Sequence, residues 1–520
     1  MNVLLSLLQK SPDYMQLLQA VEAKQAAAVS GLSQAPRSHV LAALHEHSGR
    51  PLVAVCQDDL AASRLASELG AFLGEQPPVL PSRELTLAGA IGVSRQWEQK
   101  RLRLLYALAQ GQVPVLVTSL DALLLRTMPR EVLFSASVRL RCGAEYNVDD
   151  LVARLTRAGY TRSSLVEGVG QFALRGGILD VYSPACENPL RAEFFGDELD
   201  TMGYFDPITQ RRTENVEEAV LLPVAETEAH LHPQGTAGLC EDLRVIIARQ
   251  QRRKTPNQAL IDTLQKDCEA LENETLFASA DRYMALIYPE FSTAAAYLSQ
   301  EAVVAFCDHG NLQRAEKEKA EEFGLLLDSF LTSGTLFGEL CDYYGSIEDL
   351  AAQLRGRAVV YCDGFLAARY PESLPPKKLL SFTARQLPGY GGSLETAASD
   401  LKNYTANQYG SIVLCGGQRR GEILKDLLAQ NGLNALLAFP LTKLPQPGQI
   451  LLAPGSLPAG LEYPTLKFAI LTEGQIAVRQ ERKKTRAPKK ATNRKKLDSF
   501  TDLTPGDLVV HEHHGIGRYV

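Results

Sequence analysis

Three side chains in one short stretch have the chemistry of a protein-binding surface: Arg175, Arg191 and Phe195. A guanidinium group can hold a carboxylate through two parallel hydrogen bonds, and an exposed aromatic ring can anchor the centre of an interface. Two runs carry these residues, E-G-V-G-Q-F-A-L-R-G-G-I-L-D-V-Y from 167 to 182 and R-A-E-F-F-G-D-E-L-D-T-M-G-Y-F-D from 191 to 206. The residue types favour docking of a partner over catalysis.

Both runs have the pattern of β-strands. The glycine pair at 176–177 permits the backbone angles of a tight turn, after which an apolar strand resumes. Because side chains alternate across a strand, we expect Arg191, Glu193 and Phe195 on one face and the residues between them on the other. In the alternative interpretation Arg191 pairs only with Glu193 or with solvent, and Phe195 belongs to the core.

The two runs resemble the small second domain that the excision-repair protein UvrB shares with the family of bacterial transcription-repair coupling factors. In both, this domain docks the repair protein UvrA. The resemblance implies a docking domain over residues 138–223 and UvrA contacts at Arg175, Arg191 and Phe195.

The last residues distinguish the two relatives. Residues 503–520, L-T-P-G-D-L-V-V-H-E-H-H-G-I-G-R-Y-V, resemble the opening of the RNA polymerase interaction domain of the coupling factors, a small β-barrel that UvrB lacks. Residues 508–510 predict a strand, and the glycines in 515–517 predict a tight turn. A barrel needs more strands than these, so we expect an incomplete domain. The resemblance implies contacts with the RNA polymerase β subunit at Gly515, Ile516, Gly517, Arg518 and Tyr519.

The histidines near this end do not form a convincing metal site. His511 and His513 share a face if the segment is a strand, and His514 follows. Zinc usually takes four ligands with thiolates or carboxylates at set spacings, and no cysteine lies nearby. We therefore assign no metal ligand.

A phosphate-binding loop of the form G-x-x-x-x-G-K-[ST] is absent from the sequence. Where UvrB carries that loop, residues 30–38 read S-G-L-S-Q-A-P-R-S, a glycine turn before a helix without the lysine. We therefore assign no catalytic residue and no cofactor to this chain. The family resemblance implies that ATP and magnesium belong to a motor half that is not present here.

Taken over nearly the whole chain, the sequence resembles the amino-terminal half of a coupling factor. The resemblance implies a role in transcription-coupled nucleotide excision repair, in which the full-length protein is an ATP-dependent DNA translocase that displaces stalled RNA polymerase and recruits UvrA. This half would recruit UvrA, and DNA would be bound mainly by the motor half. Two alternatives are a UvrB-like damage-verifying helicase, which requires nucleotide binding, and a stand-alone polymerase-binding regulator.

Charge is distributed unevenly along the 520 residues. Residues 479–496 contain ten Lys or Arg and one Glu, a balance of +9 in a chain whose total is −6, so the remainder carries −15. An acidic body repels duplex DNA, which argues against a DNA clamp of the UvrB type. The basic stretch is interpreted as a solvated linker, with a transient phosphate contact as the alternative.

Composition indicates a protein of the reduced cytoplasm. The nine cysteines are scattered without a C-x-x-C pair. The sequence shows neither a secretory signal nor a stretch long enough to span a membrane. Hydrophobic residues make up 45% of the chain, enough for the cores of three or four domains.

Apolar periodicity predicts a multi-domain α/β protein. Short buried strands at 52–55 and 115–118 flank an amphipathic helix at 58–73, and a helix containing Arg101 follows the family pattern, where the arginine fixes the helix to its neighbours. The glycines at 416–417 predict a structural turn rather than a phosphate site. The expected organisation is a UvrB-like α/β domain at 1–137 and 224–380, interrupted by the small α+β docking domain at 138–223, then a further α/β domain at 381–474, a basic linker at 475–500 and the start of a β-barrel at 501–520.

Overall fold

A computed structural model describes residues 2–88, 96–273, 277, 279–390, 393–473, 508–511 and 515–518. Its α-helices, in chain order, are α1 (Asn2–Leu5), α2 (Pro12–Glu22), α3 (Gln34–Ser48), α4 (Asp59–Leu73), α5 (Gln96–Ala109), α6 (Leu120–Leu124), α7 (Arg130–Ala136), α8 (Val148–Arg157), α9 (Gly235–Gln251), α10 (Gln258–Glu272), α11 (Met284–Ile287), α12 (His309–Thr332), α13 (Ile347–Gln353), α14 (Leu394–Ala406) and α15 (Gln418–Gln430).

The strands, in chain order, are β1 (Ala26–Ser30), β2 (Leu52–Cys56), β3 (Val79–Leu80), β4 (Val115–Ser119), β5 (Val138–Arg141), β6 (Thr161–Arg162), β7 (Gln171–Arg175), β8 (Ile178–Val181), β9 (Leu190–Phe195), β10 (Glu198–Phe205), β11 (Arg212–Asn215), β12 (Glu218–Leu221), β13 (Val303–Cys307), β14 (Ala358–Cys362), β15 (Lys378–Ser381), β16 (Arg385–Gln386), β17 (Gly410–Cys415), β18 (Ala435–Leu437), β19 (Ile450–Pro454), β20 (Leu461–Tyr463), β21 (Phe468–Thr472), β22 (Leu508–His511) and β23 (Gly515–Arg518). They form five sheets among the described residues.

The first sheet is parallel throughout, with seven strands in the order β15-β1-β14-β13-β2-β4-β3. Its central strands are buried along their whole length because helices cover both faces. Strands β13 and β14 come from chain beyond residue 300, so the chain returns to the first sheet after passing through the second.

Helix α4 illustrates how local sequence fixes these elements. The Asp58 side chain accepts a hydrogen bond from the Ala61 amide at 2.7 Å and caps the helix, while Gly74 ends it in the left-handed conformation. Leu65 and Leu69, one turn apart, are buried against the sheet. The predicted helix at 58–73 and the predicted strands at 52–55 and 115–118 are confirmed.

The second sheet has six strands in the order β11-β10-β9-β8-β7-β6, antiparallel except for the β6–β7 pair. One of its faces packs on helix α8 and on the small β5–β12 sheet through a core that includes Leu151, Leu155, Phe172, Leu179 and Met202. Its other face carries Arg191, Glu193 and Phe195 of β9.

The third sheet runs β16-β20-β21-β17-β19-β18, with a parallel centre and an antiparallel edge. The predicted strands at 411–414, 450–452 and 468–471 and the predicted helix at 419–430 are confirmed. Ile412 and Ile470 of this sheet join one hydrophobic cluster with residues of β1, β2 and helix α3, so the first and third sheets share a core.

A buried ion pair connects the chain on either side of the second sheet. Arg101 of α5 lies with its Nε 2.7 Å from a carboxylate oxygen of Glu226, and both side chains are fully buried. Arg101 also donates to the backbone oxygens of Pro81 and Ala122 and to the hydroxyl of Thr127. The prediction that this arginine fixes the helix to its neighbours is confirmed.

The carboxy-terminal segment corrects one prediction. The expected strand at 508–510 is present as β22, but residues 515–517, which we expected to be a tight turn, belong to strand β23. The two strands pair antiparallel, with Leu508 opposite Arg518 and His511 opposite Gly515. Glycine tolerates an extended backbone as readily as a turn, so ladder hydrogen bonds override its turn preference here. Tyr519, His513, His514 and residues 475–500 lie outside the described residues.

The fold class is therefore mixed α/β with several sheets, as the sequence predicted. The closed barrel expected after residue 501 is neither supported nor contradicted by a two-stranded hairpin. None of the helices in the described ranges is both long and apolar enough to cross a bilayer.

Candidate docking face

The face of the second sheet opposite its core carries the residues that the sequence singled out. We define the docking face as Arg175, Ile178, Asp180, Arg191, Glu193 and Phe195. Cross-strand register sets their arrangement, since Asp180 stands opposite Arg191 and Ile178 stands opposite both Glu193 and Arg175. The intervening side chains of β9, Ala192 and Phe194, turn toward the core. The predicted alternation along this strand is confirmed.

Asp180 is the centre of the docking face. Its Oδ1 accepts a hydrogen bond from Nε of Arg191 at 2.6 Å, and its Oδ2 accepts from Nη2 of Arg191 at 2.9 Å and from Nη2 of Arg175 at 2.6 Å. The carboxylate side chain is 1% exposed, whereas that of Arg175 is 51% exposed. Two cations share one buried anion, so the cluster carries a net positive charge.

The guanidinium of Arg191 contacts Phe205 and Gln210 in addition to Asp180. It lies over the ring of Phe205, with its carbon 4.6 Å from the ring centroid. It also donates to the backbone oxygen of Gln210 at 3.4 Å and to the side-chain oxygen of Gln210 at 3.5 Å. The hydrogen bonds to Asp180 stabilise the charged guanidinium and raise the pKa of Arg191. Its orientation is therefore fixed before any partner binds.

Phe195 is 83% exposed at the end of β9, and Ile178 is 38% exposed nearby. The sharp return of the chain into β10 depends on Gly196, which has φ of +65°. At the neighbouring turn, Gly177 approaches Phe194 so closely that a Cβ atom would lie 2.7 Å from its backbone oxygen. Glycine at these two turns thus presents an aromatic ring and an aliphatic side chain to solvent.

Neither part of the alternative interpretation of this motif holds. Arg191 pairs with Asp180 and not with Glu193, whose carboxylate lies 3.5 Å from Arg212 instead. Phe195 is not a core residue. Whether these side chains contact UvrA stays a prediction.

Sequence reasoning missed the role of Asp180. The only signal in the sequence is a carboxylate inside the apolar run I-L-D-V, which requires a cationic partner if its side chain is buried. That signal does not identify the partner, because the choice depends on the register of β8 against β7 and β9.

Residues 30–38, which the sequence resemblance places where UvrB carries its phosphate-binding loop, run from the end of β1 into helix α3. The Gly31 amide donates to the Gly364 oxygen at 3.0 Å, and the Leu32 amide donates to the Asp363 oxygen at 3.3 Å. Arg37, at the position of the missing lysine, is buried and pairs with Asp308 at 2.5 Å. These amides and this cation already have protein partners, and the expectation of no nucleotide binding stays a prediction.

The other candidate sites contribute little geometry. The Gly416 amide at the start of α15 donates to the Glu473 carboxylate at 3.1 Å, which agrees with a structural turn. Within the described ranges, no group of three His, Cys, Asp or Glu side chains is arranged to hold a metal ion. Residues 515–518 of the expected polymerase contact form β23, and their function is untested.

Comparison with known proteins agrees with the docking motif and extends beyond it. Residues 138–226 match the family model of the UvrB interaction domain. The transcription-repair-coupling factor of Bacillus subtilis (strain 168) is 24% identical over 530 residues, which cover 100% of this chain and 44% of that protein. That of Staphylococcus aureus (strain USA300) is 26% identical over 528 residues with the same coverage.

The chain spans less than half the length of the curated relatives it matches. The resemblance inferred from the sequence is thereby confirmed, since the chain is similar along its whole length to the transcription-repair-coupling factors and contains a segment that matches the UvrB interaction domain.

Proposed function

We propose that this chain recruits UvrA to sites of transcription-coupled nucleotide excision repair through the docking face. The observation that carries the proposal is an 83%-exposed Phe195 beside two guanidinium groups fixed by a buried carboxylate. Exposed aromatic and arginine side chains supply most of the binding energy in many interfaces, and those held rigidly lose little entropy on binding. The match of residues 138–226 to the UvrB interaction domain supports the identity of the partner.

The rest of the proposal follows from similarity to the longer relatives. In this proposal, the whole protein is an ATP-dependent DNA translocase that displaces stalled RNA polymerase in the cytoplasm. Its motor half binds ATP, magnesium and most of the DNA. The segment containing Gly515, Ile516, Gly517, Arg518 and Tyr519 begins the contact with the polymerase β subunit. This chain then acts as an adaptor without catalysis of its own.

Calorimetric titration of residues 1–520 with purified UvrA tests the adaptor proposal, with labelled ATP in a parallel binding assay. Micromolar or tighter UvrA binding without ATP binding is expected. ATP binding without UvrA binding would instead favour a nucleotide-dependent helicase of the UvrB type. A chain that binds RNA polymerase but not UvrA would favour the regulator alternative.

Substitution of the exposed contacts localises the binding. Arg175→Ala combined with Phe195→Ala should weaken UvrA binding on the order of 100-fold, because truncation of two anchors removes about 3 kcal/mol. Matched controls are Phe365→Ala, since that ring is 93% exposed elsewhere in the chain, and Arg141→Ala in the neighbouring small sheet. Equal losses in the control variants would remove the assignment of the face.

A further inference from the structure

The two arginines of the docking face are not equivalent. Both Nε and Nη2 of Arg191 are bound to Asp180, and its side chain is 20% exposed. Arg175 binds Asp180 through Nη2 alone and is 51% exposed. Within the described part of the chain, Nη2 is the only Arg175 nitrogen with a side-chain hydrogen bond, so its other N–H groups can meet a partner.

Asp180 connects the two arginines through a single Oδ2 atom. That oxygen accepts from Nη2 of Arg175 at 2.6 Å and from Nη2 of Arg191 at 2.9 Å. The carboxylate is almost fully buried, so solvent contributes little to its hydrogen bonding. A guanidinium that shares its acceptor with a fixed neighbour loses rotational freedom, which lowers the entropy that binding must remove.

We infer that Asp180 is a positioning residue of the docking face, which holds Arg175 with its free edge toward a carboxylate on the partner. The inference rests on the proposed function. Arg191, with its bidentate pair and its place over Phe205, fixes Asp180 in turn. The partner chemistry that fits is one acidic side chain opposite Arg175, beside an apolar pocket for Phe195.

The Asp180→Asn variant distinguishes the effect of Asp180 on the orientation of Arg175 from its effect on the net charge of the face. Removing one negative charge makes the face more positive, so long-range electrostatics alone would strengthen binding to an acidic surface. Loss of positioning weakens binding instead. We expect at least a tenfold weaker UvrA affinity in this variant. Asp149→Asn removes an equal charge from an exposed position at the start of helix α8, which packs on the opposite face of the sheet, and it should leave UvrA affinity unchanged or slightly higher.

A double-mutant cycle tests whether Asp180 acts through Arg175. If it does, Asp180→Asn in an Arg175→Ala background should weaken UvrA binding further by less than about twofold. If Asp180→Asn weakens UvrA binding by the same factor with and without Arg175, the inference is overturned. UvrA affinity equal to or tighter than that of the parent in the single Asp180→Asn variant would also overturn it.

A second variant covers the case in which Asp180→Asn does not fold. Arg191→Lys keeps the positive charge but cannot form the bidentate pair with Asp180, so UvrA binding should again weaken about tenfold. Unchanged affinity in this variant would overturn the inference.

Side-chain NMR of the chain without UvrA separates this inference from the proposed function. The Nε–H group of Arg175 should be more mobile in Asp180→Asn, or in Arg191→Lys, than in the parent chain. Failure of the parent to bind UvrA would contradict the proposed function alone. Unchanged Arg175 mobility would contradict the positioning role whether or not UvrA binds.

Discussion

Two arginine–aspartate pairs in this chain have opposite patterns of burial. In the docking face the acid is hidden and the cation is exposed, with Asp180 at 1% and Arg175 at 51% side-chain exposure. Between helix α3 and the end of β13 the cation is hidden and the acid is exposed, with Arg37 at 9% and Asp308 at 37%. A partner can therefore reach the positive charge in the first region and not in the second.

The two pairs have the same residue types, so the residue types alone do not determine whether the cation is accessible to a partner. Arg175 ends β7 beside the glycine turn at 176–177, whereas Arg37 lies in the first turn of helix α3, and both arginines donate at 2.5–2.6 Å. In one region a buried anion holds a cation that is exposed to solvent. In the other region a buried cation is closed off from solvent and pairs with a half-exposed acid.

A third pair, in which both partners are buried, extends the comparison and gives the largest expected effect. Arg101→Ala should lower the free energy of unfolding by about 4 kcal/mol, because it leaves the Glu226 carboxylate buried without its cation. The urea-unfolding midpoint measures this loss. Arg64→Ala, at an exposed position of helix α4, is the control and should cost much less. Equal losses would contradict the importance of burial.

Lowering the pH should destabilise the region around Arg37 and His39 before it destabilises the sheet that carries the docking face. His39 is fully buried; its Nε2 donates to the Leu4 backbone oxygen at 3.1 Å, and its Nδ1 accepts from the Tyr463 hydroxyl at 2.9 Å. Burial lowers its pKa to about 4 from an ordinary 6.5. A lowered histidine pKa gives stability that is complete above pH 6.5 and is lost as the pH falls toward 4. The loss approaches about 3 kcal/mol.

The measurement is the unfolding free energy of the parent and of His39→Gln between pH 7 and pH 4. The stability difference between them should shift against the parent as pH falls, because only the parent takes up this proton. Parallel pH profiles would contradict the argument. Residues 138–226 contain no histidine, so hydrogen exchange in the second sheet should respond less to this pH change than exchange in the first.

Arg37→Ala sharpens the comparison between the two first pairs. The expected loss of unfolding free energy is about 2 kcal/mol, less than for Arg101, because the Asp308 carboxylate left behind can reach water. UvrA affinity should stay within twofold of the parent, whereas Arg175→Ala should weaken it with little effect on stability. Urea unfolding and calorimetry of the two variants provide the test. If Arg175→Ala lowered stability and left UvrA affinity unchanged, Arg175 would have a structural role instead.

Features that depend on residues close in sequence could be predicted, whereas pairs between distant parts of the chain could not. Alternation along β9 predicted the opposite faces of Arg191 and Ala192, because it depends only on neighbouring residues. The pair of Arg37 with Asp308 joins positions 271 residues apart, and only the strand order of the first sheet brings them together. The expected turn at 515–517 failed for a related reason, since its pairing partner β22 decided its conformation.

The exposed residues of the docking face could be predicted from the sequence, but the hydrogen bonds that hold them in place could not. Arg175 and Phe195 stand out as residue types in a recognisable motif, and exposure follows from alternation and the glycine turns. The bond network around Asp180 requires the register of three strands, which the apolar pattern does not fix.

The smallest effect is expected for a pair in which both partners are exposed. Arg141 lies 3.4 Å from Glu218, with side chains 73% and 61% exposed, in the small sheet beside the docking domain core. Arg141→Ala should change the unfolding free energy by less than about 0.5 kcal/mol, because water already solvates both charges. UvrA affinity should change by less than about twofold at physiological salt, where screening removes distant charge effects. A tenfold loss in calorimetry would mean that the net charge of the domain, and not the fixed geometry around Asp180, governs docking.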